Sequence, residues 1–264
     1  MYKLVAAALS VPLIACAVDA GSGVDDTTGV SGHVAASTTW SDTVTVTGPI
    51  TVDPGVVLTI APGTTVRLAA GTSITVRGSA LAQGRKDAPV TIVPTASGDH
   101  HNGFAIPSGG AVEMSYVVQV GGGFSVEGGT LTVTDTFMSR AGGDLLVVSA
   151  GRVDMSYSQI GLEPGTGNDT THCDAHFGGS GISIAITHSN LSTSAYGLML
   201  YGGTGVDLTH DNWFANDIDI DTSPGVMADI SGGWFAKGAP VAGSGATLVA
   251  NTAADKRLPD AGPR

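Results

Sequence analysis

Pairs of apolar residues separated by one polar or small residue recur along the chain from Val44 onward. The residue between the two apolar positions is polar at most repeats, as in Thr45, Glu113 and Asp207. This alternation is typical of a β-strand with one buried face and one solvated face. The pairs are Val44/Val46, Val66/Leu68, Val90/Ile92, Val112/Met114, Leu131/Val133, Val153/Met155, Ile184/Ile186, Val206/Leu208 and Ala228/Ile230.

These pairs return at a nearly constant spacing. The intervals between their second members are 22, 24, 22, 19, 22, 31, 22 and 22 residues. A fixed period indicates stacked supersecondary units, and about 22 residues suits one coil of three short strands and three turns. A four-stranded propeller blade needs a longer repeat, and the consensus of a leucine-rich repeat is absent. We therefore predict an all-β fold: a single-stranded parallel β-helix of about nine coils in residues 40–250.

The first coils carry further strand and turn signals. The segments GVVLTIAPGTTVRL (55–68) and SITVRGSALAQG (73–84) combine alternating apolar residues with Gly and Pro turns. They resemble the first coils of bacterial right-handed parallel β-helix proteins of the pectin-lyase-like superfamily. The resemblance implies a right-handed β-helix. It does not select a function, because this fold hosts lyases, hydrolases, adhesins and inert scaffolds.

The N-terminus has the pattern of an export signal. Lys3 precedes the apolar run Leu4–Ile14, which is too short for a transmembrane helix. The run ends in Leu13-Ile14-Ala15-Cys16, which resembles the lipobox of bacterial lipoproteins. The resemblance implies removal of residues 1–15 and acylation of Cys16, and Ala17 favours the outer membrane as the destination. The alternative is an ordinary secretory signal followed by an incidental cysteine.

Composition restricts the class of partner. With 11 basic and 23 acidic residues the net charge is −12, and no basic stripe is present, so nucleic acid is excluded as a partner. A membrane reached through the lipid anchor, a polysaccharide or another envelope protein remains. Residues 16–39 are rich in Gly, Ser and Thr and predict a flexible tether, whereas residues 251–264 predict a short, disordered polar tail.

A candidate metal site lies in the longest interval between pairs. On a strand, His172, Asp174 and His176 share one face, while Cys173 and Ala175 share the other. Two imidazoles and a carboxylate suit Zn²⁺ or a similar ion. The alternative is that these side chains make turn hydrogen bonds, with Cys173 as a core residue. Comparison with the following coil gives the opposite facing, so the sequence leaves the facing open.

Acidic residues mark the last coils. Asp217, Asp219 and Asp221 alternate with Ile218 and Ile220 and are expected to share the wet face. Asp207 and Asp229 occupy equivalent positions on neighbouring coils, where the carboxylates repel each other unless a cation lies between them. The sequence therefore offers a Ca²⁺ site or, alternatively, a solvated acidic surface.

Aromatic residues recur in the same coils. Trp213 and Trp234 follow the strand in successive coils, so the sequence predicts that they stack. Exposed, they would form a platform for sugar rings; buried, they would cap the end of the helix. His188 over His210, with Tyr157 one coil earlier, and Asn190 over Asn212 are predicted to form turn ladders.

These features favour a lipid-anchored envelope protein that acts as a non-catalytic scaffold or glycan-binding module. The alternative is a polysaccharide lyase or glycoside hydrolase that uses the acidic face of the last coils. Polygalacturonase-like paired Asp motifs are absent from the sequence, and no Arg lies beside an acidic cluster along the chain. The sequence therefore favours a binding function over polysaccharide cleavage.

Overall fold

The protein is an all-β parallel solenoid of about ten turns with a spacing of about 22 residues. The structure, a computed structural model, describes residues 29–163, 165, 167, 169 and 171–264. Among these residues no helix is long and apolar enough to cross a membrane. Consecutive coils pair strand on strand in parallel, which confirms the predicted parallel β-helix.

The strands form three faces, each a ladder of parallel strands along the helix axis. The long strands β3 (Thr43–Val52), β12 (Phe124–Thr134) and β14 (Leu146–Ser156) bend at a corner and serve two faces each. Face 1 contains the second halves of β12 and β14 together with β2 (Thr38–Trp40), β4 (Val57–Ile60), β7 (Ser79–Gln83), β10 (Ala111–Ser115), β17 (Ile182–Thr187), β20 (Val206–Asp207), β23 (Met227–Asp229) and β25 (Thr247–Val249).

The other two faces complete each coil. Face 2 contains the first half of β3 with β5 (Thr65–Leu68), β8 (Val90–Pro94), β11 (Val117–Val120), β13 (Phe137–Ser139), β15 (Gln159–Gly161), β18 (Asn190–Ser192), β21 (Asn212–Phe214) and β24 (Trp234–Phe235). Face 3 contains the second half of β3 and the first halves of β12 and β14 with β1 (Val30–Val34), β6 (Ser73–Val76), β9 (Gly103–Pro107), β16 (Cys173–Phe177), β19 (Tyr196–Leu200) and β22 (Ile218–Thr222).

The core is a single column of apolar side chains enclosed by the three faces. Every predicted inward pair lies in it, fully buried except for the half-buried Val44, and none of the residues between the pair members is buried. The predicted inward and outward facing is therefore confirmed.

The repeat changes face where the sequence shows no break. The first three pairs lie on face 2, because Val66 is paired with Ile92, whereas the pairs from Val112 onward lie on face 1. The true face-1 predecessor of Met114 is Ala82. Because alanine gives a weak hydrophobic signal, the pair Ala80/Ala82 is not evident in the sequence. The series of apolar pairs therefore continues from face 2 to face 1.

Two coils are enlarged, where the sequence suggested one. Ala82 and Met114 are partners 32 residues apart, and Met155 and Ile186 are partners 31 residues apart. The extra residues of the first enlarged coil include 95–102, between faces 2 and 3. Those of the second include 162–172, at the same corner of the solenoid. Both insertions therefore border the same part of the surface.

The solenoid extends beyond its predicted limits at the N-terminal side. Strands β1 and β2 pair with β3 and β4, so residues 30–40 belong to the first coil. The boundary at residue 40 is wrong, because the Gly and Ser residues that suggested a tether lie here on an exposed end strand. Residues 1–28, which include Cys16 and most of the predicted tether, lie outside the described residues.

Residues 251–264 lie against the solenoid, and the expected disorder is wrong for this segment. The Arg264 guanidinium donates two hydrogen bonds to the Asp135 carboxylate and lies 3.8 Å from the centre of the Tyr157 ring. Leu258 exchanges two hydrogen bonds with the Asn212 side chain. The N–H of Gly262 donates to the His188 carbonyl. These contacts hold the segment against the ladder to which Tyr157, His188 and Asn212 belong. Composition alone does not indicate such contacts.

That ladder follows the corner between faces 1 and 2. Its ring-bearing residues have left-handed backbone angles, with φ of 48° at Tyr157, 52° at His188 and 62° at His210. The ring centroids of neighbouring members are 5.1 Å apart, and Asn212 Nδ2 donates to Asn190 Oδ1 over 2.9 Å. The predicted His and Asn ladders are confirmed.

Candidate metal centre

A cluster of metal-ligating side chains lies on face 3, at the start of β16. The insertion 162–172 ends there, and it places His172 and Cys173 beside the turn that precedes β14 in the coil below. Asp144 comes from that turn. One ligand atom from each of Asp144, His172 and Cys173 lies within 4.8 Å of the other two. This is the one such cluster that the described residues contain.

Asp144 is the centre of the cluster. Its Oδ1 lies 3.1 Å from His172 Nδ1, and its Oδ2 lies 3.1 Å from His176 Nδ1. The Cys173 Sγ lies 3.1 Å from the same His172 nitrogen. Nitrogen, sulfur and carboxylate oxygen are the donors that Zn²⁺ prefers. Asp144, His172 and Cys173 therefore form a three-residue donor set, and His176, which contacts the second Asp144 oxygen, lies beside it.

The surroundings adjust the protonation of this set. Burial raises the pKa of Asp144, but hydrogen bonds with His172, His176 and Cys173 outweigh it, and the pKa lies below its usual value. Burial raises the pKa of the Cys173 thiol well above its usual range, and the Asp144 charge adds to the increase. The cluster thus combines an ionised carboxylate with a thiol that stays protonated without a cation.

Two tyrosines flank the imidazoles. The Tyr196 ring lies 5.4 Å from the His172 ring, and the Tyr201 ring meets the His176 ring edge-on at 5.5 Å. The Tyr201 hydroxyl donates to Asp221 Oδ2 over 2.6 Å, and this hydrogen bond raises the pKa of Tyr201 to about 12. The imidazoles are therefore held from the side opposite to Asp144.

The predicted trio His172, Asp174 and His176 is not brought together. Asp174 is completely buried, whereas His172 is exposed and His176 half-buried. The expectation that the three share a wet face is wrong for Asp174, because its carboxyl group is buried beside Gly161 of β15. Asp144 occupies the place that Asp174 was expected to fill. Its signal is the coil offset: Leu146 is paired with Ala175, so Asp144 lies below the start of β16.

The acidic residues of the last coils do not form one cluster. Asp207 and Asp229 are paired across neighbouring coils as predicted, but each carboxylate accepts a hydrogen bond from the backbone of its own turn, at Thr209 and Ser231. Asp219 is buried against Asn216, and burial raises its pKa. The expected common wet face of Asp217, Asp219 and Asp221 is therefore wrong, because Ile218 is the exposed residue and Asp219 the buried one.

The two tryptophans are offset by one position. Trp213 is paired with Phe235, and their rings stack at 5.8 Å, while Trp234 is paired with Asn212 and packs against Phe214 at 6.2 Å. Trp213 is completely buried. The predicted stacking of the two tryptophans on each other is wrong. Trp213 belongs to the core, so it supplies no exposed platform for a sugar ring.

Two open cavities lie beside the first insertion, residues 95–102. The first, of about 530 Å³, is lined by His100, Asn102, Ser125 and Asp144 and so adjoins the metal centre. The second, of about 370 Å³, is lined by Arg67, Asp99, His100 and Arg140 with apolar Val93, Pro94 and Val120. No local sequence pattern indicates this second cavity, because its two arginines are 73 residues apart and meet through the enlarged coil.

Comparisons of the chain with family models, with curated proteins and with solved structures found no match.

Proposed function

We propose that the chain is a lipid-anchored β-helix of the bacterial cell envelope that acts as a binding scaffold, and that its ligand is a zinc-like divalent ion. The observation that carries the proposal is the convergence of Asp144, His172 and Cys173 ligand atoms within 4.8 Å. His176 on the second Asp144 oxygen supplies a fourth donor.

The geometry suits a small tetrahedral ion. Ligands about 2.0 Å from a zinc ion are separated from one another by about 3.3 Å in a tetrahedron. Three donor separations in the cluster are close to this value: Asp144 Oδ1 to His172 Nδ1, His172 Nδ1 to Cys173 Sγ, and Asp144 Oδ2 to His176 Nδ1 are each 3.1 Å. Binding would release the Cys173 proton. The positive charge of the ion would then stabilise the thiolate, which burial and the Asp144 charge otherwise disfavour.

Zinc titration of chelator-treated protein tests the proposal. We expect one Zn²⁺ per chain and a higher melting temperature, and we expect His172→Ala and Cys173→Ser to lose both effects. His33→Ala is the matched control, because His33 is an exposed histidine on the first coil that contacts Asp53. Zinc binding by wild type that is no tighter than by His172→Ala would refute the proposed centre.

The anchor rests on the motif that ends in Cys16, with localisation at the outer membrane. Replacement of Cys16 by Ala should abolish metabolic labelling with a palmitate analogue and leave the precursor unprocessed. The same labelling of Cys173→Ala serves as the control. Labelling that persists in Cys16→Ala would eliminate the anchor without affecting the metal proposal.

An acidic polysaccharide is a second candidate ligand, supported by the cavity between Arg67 and Arg140. Both side chains are exposed, and neither guanidinium has an ion pair in the described part of the chain, although the protein carries 23 acidic residues. Guanidinium groups pair readily with carboxylates. We expect Arg67→Ala/Arg140→Ala to reduce retention on polygalacturonate at least tenfold, with Arg77→Ala as the control. Equal retention would remove this candidate.

Polysaccharide cleavage has less support than binding. The lyase or hydrolase alternative requires paired carboxylates on an open acidic face of the last coils. In that region Asp219 is buried, and Asp207 and Asp229 are engaged in their own turns. Binding is therefore the function that the described geometry favours.

A further inference from the structure

A second pair of carboxyl groups, Asp169 and Asp174, lies near the corner between faces 2 and 3, apart from the zinc donor set. Asp174 is completely buried, and neither of its oxygens has a hydrogen-bond partner in the structure. A buried, unpaired carboxylate is costly, so such a group requires a proton or a cation nearby. Burial raises the pKa of Asp174 well above its usual value and the charge of Asp169 raises it further, while the neighbouring Ser194 hydroxyl and Ser192 N–H offset only part of this increase.

Asp169, whose charge acts on Asp174, also has an oxygen without a hydrogen-bond partner. Its Oδ1 accepts hydrogen bonds from the Thr171 hydroxyl, the Thr171 N–H and the Arg140 N–H, at 2.6, 3.0 and 2.9 Å. Its Oδ2 is buried and has no partner. Neither Asp169 nor Asp174 has an ion-pair partner among the described residues. Two carboxyl groups are thus brought together, and neither forms an ion pair in the part of the chain that the structure describes.

The surrounding groups are oxygen donors. A Cβ on Gly161 would lie 2.9 Å from Asp174 Oδ1 and 1.7 Å from the Ser192 carbonyl oxygen, so glycine alone lets these oxygens approach each other. An open cavity of about 440 Å³, lined by Asp169, Thr193 and Ser194, connects this place with solvent. An all-oxygen set with two carboxylates suits Ca²⁺ in place of zinc.

We propose that Asp169 and Asp174, with the Ser192 carbonyl, form a Ca²⁺ site that fastens the insertion 162–172 to the corner between faces 2 and 3. The site is independent of the zinc donors, since it uses none of them. It accounts for the buried Asp174 carboxyl group and the buried Oδ2 of the half-buried Asp169, which have no hydrogen-bond partner in the structure. Bound Ca²⁺ would also fix the loop that delivers His172 and Cys173 to face 3.

Calorimetric titration of chelator-treated protein with CaCl₂, in the absence of zinc, tests this site. We expect one Ca²⁺ per chain and a rise in melting temperature of about 5 °C at saturation. The isosteric Asp174→Asn variant should bind Ca²⁺ at least tenfold more weakly, and Asp229→Asn, which alters an exposed carboxylate, should bind as wild type does. Asp169→Asn provides a second loss of one ligand charge should Asp174→Asn fail to fold.

The outcomes separate this site from the zinc centre. Asp174→Asn should retain one Zn²⁺ per chain, because none of the zinc donors is changed. Absence of Ca²⁺ binding by folded wild-type protein would overturn the site and leave the zinc proposal standing. Ca²⁺ binding that is equal in wild type, Asp174→Asn and Asp169→Asn would also overturn it, since the ion would then lie elsewhere.

Discussion

At the scale of single residues, the solenoid depends on glycines that allow two backbones to approach. At Gly103 a Cβ would lie 1.8 Å from the Gly123 carbonyl oxygen of the next coil, and φ is +66°. At Gly109 φ is +84°, but nothing lies within 4 Å of the Cβ position. These two positions separate the cost of the left-handed backbone from the cost of contact between coils.

Gly103→Ala should therefore be far more damaging than Gly109→Ala. We expect a loss of about 1 kcal/mol in the free energy of unfolding for Gly109→Ala, from the backbone angle alone. For Gly103→Ala the loss should exceed about 4 kcal/mol, because strands β9 and β12 must separate. Urea denaturation of both variants measures the difference. Equal losses would mean that the spacing between coils tolerates a methyl group.

Asp135 makes stability depend on pH in the acid range. Burial raises its pKa, but hydrogen bonds from Arg264 and Thr134 outweigh burial, and the pKa lies below its ordinary value. The folded state therefore favours the carboxylate. Its contribution is complete above the unfolded pKa of about 3.9 and is lost as pH falls through the lower folded pKa. Asp135→Asn should melt below wild type at pH 7, and the gap should close by about pH 2. A gap that stays constant with pH would exclude this origin.

At the scale of strands, alternation determines which residues enter the core. Leu208 is completely buried, whereas Thr91 lies at an outward position between Thr65 and Val118 of neighbouring coils. Thr132, also outward, is flanked by Glu113 and Asp154, so a new carboxylate there would measure repulsion in addition to facing. Thr91 is therefore the suitable outward position for comparison.

Leu208→Asp should lower the urea midpoint severely, by the equivalent of more than about 4 kcal/mol, because an unpaired carboxylate enters the core. Thr91→Asp should change it by about 0.5 kcal/mol or less. Circular dichroism during denaturation reports both. Similar midpoints for the two variants would contradict the facing of these strands.

The alternation and the period could both be predicted from the sequence. Which residues of neighbouring coils lie beside each other could be predicted only in part. Leu131 and Ile184 carry a strong apolar signal, and their facing follows from parity. The metal centre could be predicted only in part: His172 and His176 lie four residues apart along the chain, whereas Asp144 joins them from 28 and 32 residues away. That offset depends on the size of an insertion, which no local pattern specifies.

At the scale of the whole molecule, residues 251–264 bind several coils together. They run from Gly233, which accepts a hydrogen bond from Ala254, back to Asp135. Arg257 contributes on the way, with an ion pair to Glu163 and a position 4.1 Å from the centre of the Phe214 ring. Contacts that span several repeats are unusual in a solenoid, in which each repeat otherwise touches only its neighbours.

Arg264→Ala should release the end of this segment. We expect a melting temperature lower by about 2–4 °C, the equivalent of about 1 kcal/mol, and faster proteolysis within residues 251–264. Lys256→Ala is the control, because Lys256 is an exposed cationic residue of the same segment. Unchanged melting and proteolysis in Arg264→Ala would show that the ion pair with Asp135 does not hold the segment.

The same segment, residues 251–264, makes the two ends of the solenoid differ in how readily they unfold. An end coil has one neighbour in place of two, so both ends of a simple solenoid fray alike. Here, separation of β24 and β25 also disrupts contacts as distant as Asp135, whereas among the described residues β1 and β2 form strand pairs only with β3 and β4. Amide protons of the first coil should therefore exchange with solvent sooner than those of the last, and progressive loss of structure should travel from the N-terminal coil towards the C-terminal one.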